Sequence, residues 1–520
     1  MVITAVARVA SISGRNPGWS DSHPVGGDAG STIEHIAKDC KTNVFHETSL
    51  PGRQLAWSEE MISPSQANQA ALDDNKQSYI RLHPASRNLF ERARGVLAGG
   101  TSHNYRSCSP MPLYWRRGKG ARLWDVDGRE YVDYALNGAS ALLGHGDPRL
   151  LAAIAAYDPH LGGATNTEIE ILWGERIKAH YPSADLVRFT GSGSDSTTLA
   201  FRLVRAYTGK DKILRFSRAY HGWHDHSAIG YLEGAPVPNG IPASQAALIV
   251  SASLDGNLDR VRERLQVGDI AGMIVEPSGA GMGLNLLPHA KLVELRGIAR
   301  DANVPFICDE NITGFRWSPG GIQGLLGLDP DLTLLGKIAT GGFPGAVIAG
   351  KAEIMELIAK GVRSRVSHSG TYNGHPVVST AAIALIDAIS DGVPQKKAEA
   401  FADQLKAALN KVIQDLSIAG FCYGPSSTYW VYLHPRVAPP LPITPGQPDY
   451  QVVSPSLLAS APADMVDSLY CALCNHGVVN TIFNGGFTSA VHGQAELDTT
   501  VAAYQAALRE LRDRGIVATI

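Results

Sequence analysis

Cysteine is scarce in this chain of 520 residues: six are scattered through it, too dispersed to staple a secreted fold, so it reads as reduced and intracellular. An excess of one charge is also missing. Lys and Arg number 46 against 49 Asp and Glu, a net charge of −3, and no long basic run is present. That balance excludes electrostatic binding to nucleic acid as a main activity. No uninterrupted apolar stretch reaches the roughly 18 residues of a membrane helix, so no membrane partner is expected. The amino terminus has no apolar core of a secretory signal. Its first twenty residues hold Arg8 and Arg15, several Ser and Ala, and no acid. That is a faint mitochondrial-transit pattern set against a cytoplasmic expectation.

Two phosphate-site signatures are incomplete as well. "RFTGSGSDSTTLAFRLVRAYTG" reads as strand, glycine-rich turn and helix, but it lacks the Gly-Lys-Ser/Thr ending of a P-loop. It also lacks the third glycine of a dinucleotide fingerprint, and the next strand ends in Ser217 rather than an acid. What remains is Gly191 and Gly193 for close backbone approach, with hydroxyls from Ser192, Ser194 and Ser196, at a helix amino terminus. Two readings stand: a phosphate cradle, or a tight turn.

The organisation that is present starts near Ser86. "SRNLFERARGVLAGG" predicts an amphipathic helix closed by Gly99 and Gly100, and "ARLWDVDGREYVDYA" a hairpin turning at Asp127-Gly128. Near-continuous apolar strands then alternate with helices over residues 151–390, which predicts an α/β domain with a mainly parallel sheet. Residues 391–520 read as a smaller α+β domain carrying the Pro-rich loop "PRVAPPLPITPGQPDY". Residues 86–150 form a segment of helix and small sheet, and residues 1–85, without sustained periodicity, an extension that is partly disordered. Cys471 and Cys474, with His476 nearby, lack a second ligand pair; they predict a helix that turns at Gly477, and no metal.

Two stretches carry chemistry beside the glycine-rich turn. "PFICDENITGFR" is a core strand ending in Asp309, Glu310 and Asn311. Strand alternation sends Asp309 and Asn311 to one side and Glu310 to the other. In parallel sheets ligands bind beyond the carboxyl ends of the strands. "DLTLLGKIATGGFPGAVIAG" places Lys337 after an apolar strand among glycines, where loss of water favours the neutral, nucleophilic amine. A phosphate cradle, a strand-end aspartate and an enclosed lysine together match what pyridoxal phosphate requires.

From about Ser86 onward the chain resembles the class III pyridoxal-phosphate-dependent aminotransferases, in the branch of glutamate-1-semialdehyde 2,1-aminomutase. The resemblance rests on "LWDVDGREYVDY", "LGHGDP", "RFTGSGSDSTT", "YHGWHD", "IVEPSGAGMG", "ICDENITGFR", "DLTLLGKIATGGFPGAVIAG" and "HSGTYNGHP", in family order. It implies a fold-type I enzyme with a large domain on a mainly parallel seven-stranded sheet, acting as a homodimer with shared sites. It also implies that Lys337 is the Schiff-base lysine and proton carrier and that Asp309 pairs with the pyridinium nitrogen. By the same resemblance Ser192, Gly193 and Ser194 cradle phosphate, and Thr371 reaches the phosphate of the second subunit. Tyr220 stacks on the ring, His221 and Gly222 complete its turn, and Glu276 lies on the cofactor and substrate side. Arg106 stands where the family meets a substrate carboxylate, the alternative being a loop arginine, and Trp223 either lines the pocket or packs. Two departures stand out: Asp195 where relatives have Glu, and Asn311 where they have Val or Ile, read as a contact to the cofactor, the alternative being a tolerated substitution.

These readings imply an aminotransferase acting on a small amino donor and an oxo acceptor. An aminomutase is the alternative; the segment after "YHGWHD" is shorter than that enzyme's mobile loop. A catalytically silent cofactor binder is opposed by Lys337 and Asp309, and a nicotinamide dehydrogenase by the incomplete fingerprint.

Overall fold

Alternating apolar strands and helices assemble into one large sheet in the computed structural model, which describes residues 66–157, 165–279, 281, 283, 286–361, 365–433 and 458–519. Its seven strands lie in the order Leu186–Thr190, Ala346–Gly350, Leu332–Gly336, Phe306–Asp309, Ile270–Val275, Lys212–Phe216, Ile249–Ala252. Ala346–Gly350 runs antiparallel to both neighbours, and all other pairs are parallel. Six strands therefore end on the same edge. Phe306–Asp309 is the central strand, and five of the strands, Ile270–Val275 and Phe306–Asp309 among them, are wholly buried or nearly so, as continuous apolar runs require. The edge strand Ile249–Ala252 was not expected; its sequence mixes Ser and Ala into an apolar run too short to single out.

The helix Gly193–Thr208 fills the first crossover. Ser192 caps it by accepting the Asp195 N–H, and Gly209 ends it in the left-handed region at φ +67°. Its buried face of Leu199, Ala200, Leu203 and Val204 packs on the sheet. Contact is close: a Cβ on Gly272 of the sheet would lie 2.9 Å from Val204 Cγ2. Burying such Leu and Val side chains contributes about 1.5–3 kcal/mol each.

The outer segments are interlaced. The hairpin Arg122–Asp125/Glu130–Asp133 forms as expected, but its sheet also takes in Trp115–Lys119 and, parallel to Val132–Asp133, the carboxyl-terminal strand Val478–Val479. Val132 and Tyr134 share a core with Leu405, Leu469, Tyr504 and Leu508. Residues 86–150 thus pack with 391–520. Within the expected extension of residues 1–85, Gln66–Leu82 is a helix packed on Ala463–Asn475. Its inner face, Leu72, Asn75, Tyr79 and then His83 and Ser86, has helical spacing but is half polar, which hides the periodicity. Asn75 Nδ2 donates to Ser468 O at 2.8 Å, and His83 bonds Tyr79 O and Tyr131 OH. Residues 1–65 and the Pro-rich loop fall outside the described residues. Cys471 and Cys474 are buried on the helix Ala463–Asn475, followed by Gly477 at φ +79°.

Candidate active site

Glu276, Asp309 and Lys337 follow or end three neighbouring parallel strands, so the sheet alone brings them to one edge. The polar end of the central strand then divides its labour. Glu310 points away and is fully buried, accepting from Thr313 Oγ1 (2.7 Å), Ile322 N (2.8 Å), Gln323 N (3.2 Å) and Gln323 Nε2 (3.0 Å). It ties the turn after the strand to the following helix, and burial raises its pKa against those donors. Asp309 faces the site. Its Oδ2 lies 2.7 Å from His221 Nδ1, and its Oδ1 accepts from Asn311 Nδ2 at 2.6 Å and from the Asn311 N–H at 3.3 Å. Burial lowers the pKa of His221, opposed by the bond to Asp309, while its Nε2 has no partner among the described residues.

Lys337 begins a short turn after the strand Leu332–Gly336, at φ +52°, a left-handed conformation unusual for a non-glycine residue. Burial lowers its pKa, with Asp309 and Glu276 pulling it back up and Arg316 lowering it further. Glu276, 8% exposed, is pushed up to about 7 by burial, assisted by the Asp309 charge and opposed by the Ser278 hydroxyl, which donates to it at 2.8 Å. Since its ordinary value is 4.5, the folded chain holds a proton that the unfolded chain releases between those pH values. Stability should therefore fall as pH rises through that window, by about 3 kcal/mol at most. Glu276→Gln should flatten the pH dependence of Tm there in cofactor-free protein, and an unchanged slope would contradict the assignment.

The glycine-rich turn meets the "YHG" turn face to face. Gly222 stands at φ +107°, and a Cβ there would lie 2.7 Å from Ser194 Oγ. The Trp223 N–H donates to that same oxygen at 3.3 Å, and Tyr220 bonds the Ser194 hydroxyl. Tyr220 is partly open, 38% exposed, and its ring meets Tyr105 edge-on at 5.6 Å. Asp195, exposed, accepts from Ser192 Oγ at 2.9 Å, which holds its carboxylate against the turn at Gly191. Gly222→Ala combines left-handed strain with that overlap, and should cost about 1–2 kcal/mol in Tm-derived stability and loosen the anion turn.

Three expected residues are exposed in the single chain. The Trp223 indole is 78% exposed, while its backbone N–H meets Ser194 Oγ at the site. Thr371 is exposed on the loop before Pro376, with no hydrogen bond to these groups. Arg106 is exposed beside Tyr105 and donates to Ser102 Oγ at 3.1 Å. Tyr105 itself was missed. Its place one residue before Arg106 was the only signal, and it bridges Tyr220 and Phe483.

A mainly parallel seven-stranded sheet with an enclosed lysine, a strand-end aspartate and a glycine-rich anion turn on one edge defines a fold-type I transferase. The model of the family "Aminotransferase class-III" matches residues 104–419, and the chain belongs to that family of enzymes. It is 33% identical over 82% of its length to a glutamate-1-semialdehyde 2,1-aminomutase of Methanococcoides burtonii, 99% of which is covered. It is 37% identical over 67% of its length to an enzyme of the same name from Methanothermobacter thermautotrophicus, of which 83% is covered. Among solved structures it is similar to an omega-transaminase from Sphaerobacter thermophilus, at 31% identity and TM-score 0.73, covering 82% of this chain and 98% of that one.

Proposed function

We propose that the enzyme moves an amino group between an amino acid or amine and an oxo acid, working through Lys337. The cofactor is pyridoxal 5'-phosphate. The residues fit it on three counts: first-turn N–H groups of Gly193 and Ser194 without acceptors in their own helix, a partly open Tyr220 ring above the turn, and the buried Asp309 carboxylate. When bound, the cofactor supplies a carbonyl that takes up the amino group and a ring that stabilises negative charge on the neighbouring carbon.

The observation that carries the proposal is the Lys337 amine, made less basic by burial and set among Asp309 and Glu276. A lysine whose amine is made less basic serves more readily as a nucleophile and as a proton carrier. In this reading Lys337 Nζ takes a proton from the substrate α-carbon and returns it at the next position. Asp309 holds a proton at the ring nitrogen, with His221 fixing the carboxylate from behind. Ser192, Gly193 and Ser194 bind phosphate, Tyr220 and Asn311 flank the ring, and the Glu276 carboxyl holds a proton beside the reacting carbon.

Arg106 is proposed to meet a substrate carboxylate, since its fork bonds both oxygens and it borders the Tyr105–Tyr220 pair. Arg106→Ala should raise KM for carboxylate substrates by about ten-fold or more with kcat little changed. An unchanged KM would remove Arg106 from the site. A second copy of the chain is proposed to cover the exposed Trp223, Thr371 and Tyr372, with Thr371 serving the phosphate of the other subunit. Sedimentation should then give a dimer.

The names of the relatives favour a second reading, a 2,1-aminomutase that returns nitrogen to the adjacent carbon of the same molecule. Against it stands the short segment after "YHGWHD", which encloses a released intermediate less well. Incubating the loaded enzyme with single amino donors separates the two. Release of a free oxo acid supports transamination. Isomerisation of a 1-oxo-2-amino substrate with no oxo acid released supports the mutase.

A further inference from the structure

Asn311 occupies a slot made by two glycines. A Cβ on Gly336, the residue before Lys337, would lie 2.5 Å from Asn311 Oδ1, and its next neighbour, also in Asn311, is 3.5 Å away. A Cβ on Gly193, in the anion turn, would meet Oδ1 at 3.0 Å, Cγ at 3.2 Å and Nδ2 at 3.3 Å of the same side chain. Neither glycine needs a left-handed backbone: Gly336 is extended at φ −148°, and Gly193 opens an ordinary helix. What bars a side chain at both positions is therefore the Asn311 amide. The third face of that amide is fixed by charge. Only its NH2 can approach a carboxylate to 2.6 Å, so Nδ2 donates to Asp309 Oδ1 and Oδ1 turns toward the glycines.

We propose that Asn311 is a positioning residue that clamps the Asp309 carboxylate, and that Gly193 and Gly336 are kept bare to admit its amide. His221 holds one carboxylate oxygen and Asn311 the other, so Asp309 is oriented from both sides. The same amide touches the anion turn and the residue preceding Lys337, so three parts of the site are registered against one side chain. An apolar side chain at 311 fills space but leaves Asp309 Oδ1 with only the 3.3 Å backbone N–H. The functional consequence of the clamp rests on the pyridoxal-phosphate reading; the glycine slot does not.

Two measurements test it. In cofactor-free protein, Gly336→Ala should lower Tm clearly in the native background and much less beside Asn311→Ala, because the smaller side chain vacates the slot. Equal losses in both backgrounds would overturn the slot, whatever cofactor the enzyme uses. Asn311→Asp then keeps the volume but sets a second carboxylate, in place of an amide donor, against Asp309 Oδ1 and the anion turn. Its affinity for pyridoxal 5'-phosphate should fall about ten-fold or more. Native-like affinity would overturn the clamp. Failure of the native protein itself to bind the cofactor would instead sink the cofactor reading, and the Tm cycle would still decide the slot.

Discussion

Lys337→Ala should lower turnover by about a thousand-fold or more while leaving the protein folded. The amine has two duties in the proposed chemistry, nucleophile and proton carrier, and no neighbour replaces both. Arg316 is buried and committed to Ala139 O at 2.7 Å, Thr488 O at 2.9 Å and Ser427 Oγ at 3.3 Å. Glu276 can hold a proton but cannot form the covalent link. Stability should change little, because Lys337 Nζ makes no hydrogen bond or ion pair to the described residues and the left-handed turn persists with any side chain. Removing a desolvated amine leaves Tm equal or slightly raised. Lys337→Arg should be as inactive, since guanidinium stays protonated. Retained turnover in the alanine variant, measured on protein with native circular dichroism, would contradict the assigned role.

Asp309→Ala should combine a functional loss with a structural one. Turnover should fall by about a hundred- to a thousand-fold, the scale for deleting a buried charge aimed at a reacting group. Stability should fall too, because His221 Nδ1 and Asn311 Nδ2 both lose their acceptor inside the protein. Each buried polar group left without a partner costs about 1–3 kcal/mol. Asp309→Asn restores acceptor capacity on one oxygen but places an amide NH2 against one of the two donors, so it should recover part of the stability and little turnover. An alanine variant with native turnover would remove Asp309 from the chemistry. One with native Tm would contradict the clamp by His221 and Asn311.

Much of this was legible in the residues, for reasons that differ by element. The sheet was readable because a strand buried on both faces must be apolar throughout, as "AGMIV" and "LTLLG" are. Asp309, Glu310 and Lys337 were readable because an ionisable group after such a strand has few innocent explanations. Alternation correctly separated Glu310 from Asp309, yet Asn311 reaches Asp309 through the turn that follows the strand, not as a strand neighbour. The helix Gln66–Leu82 escaped because Asn75, His83 and Ser86 put polar atoms where a pattern reader expects apolar ones. Their partners lie as far away as Ser468, 393 residues on. Trp223 stayed open between pocket and packing because aromatic character says nothing about direction; in the single chain its ring is exposed. The Asn311 slot could not be read at all, since nothing in "TGSGS" or "LLGK" says which side chain each glycine makes room for.

The central claim is that Lys337 carries the cofactor, and its most direct test is chemical. The purified enzyme, loaded with pyridoxal 5'-phosphate, is reduced with borohydride, digested and mapped by mass spectrometry. The account predicts a single stable pyridoxyl adduct on Lys337, absent when an amino donor has first converted the cofactor to its amine form. An adduct on another lysine, or none at all on protein that retains activity, would contradict it.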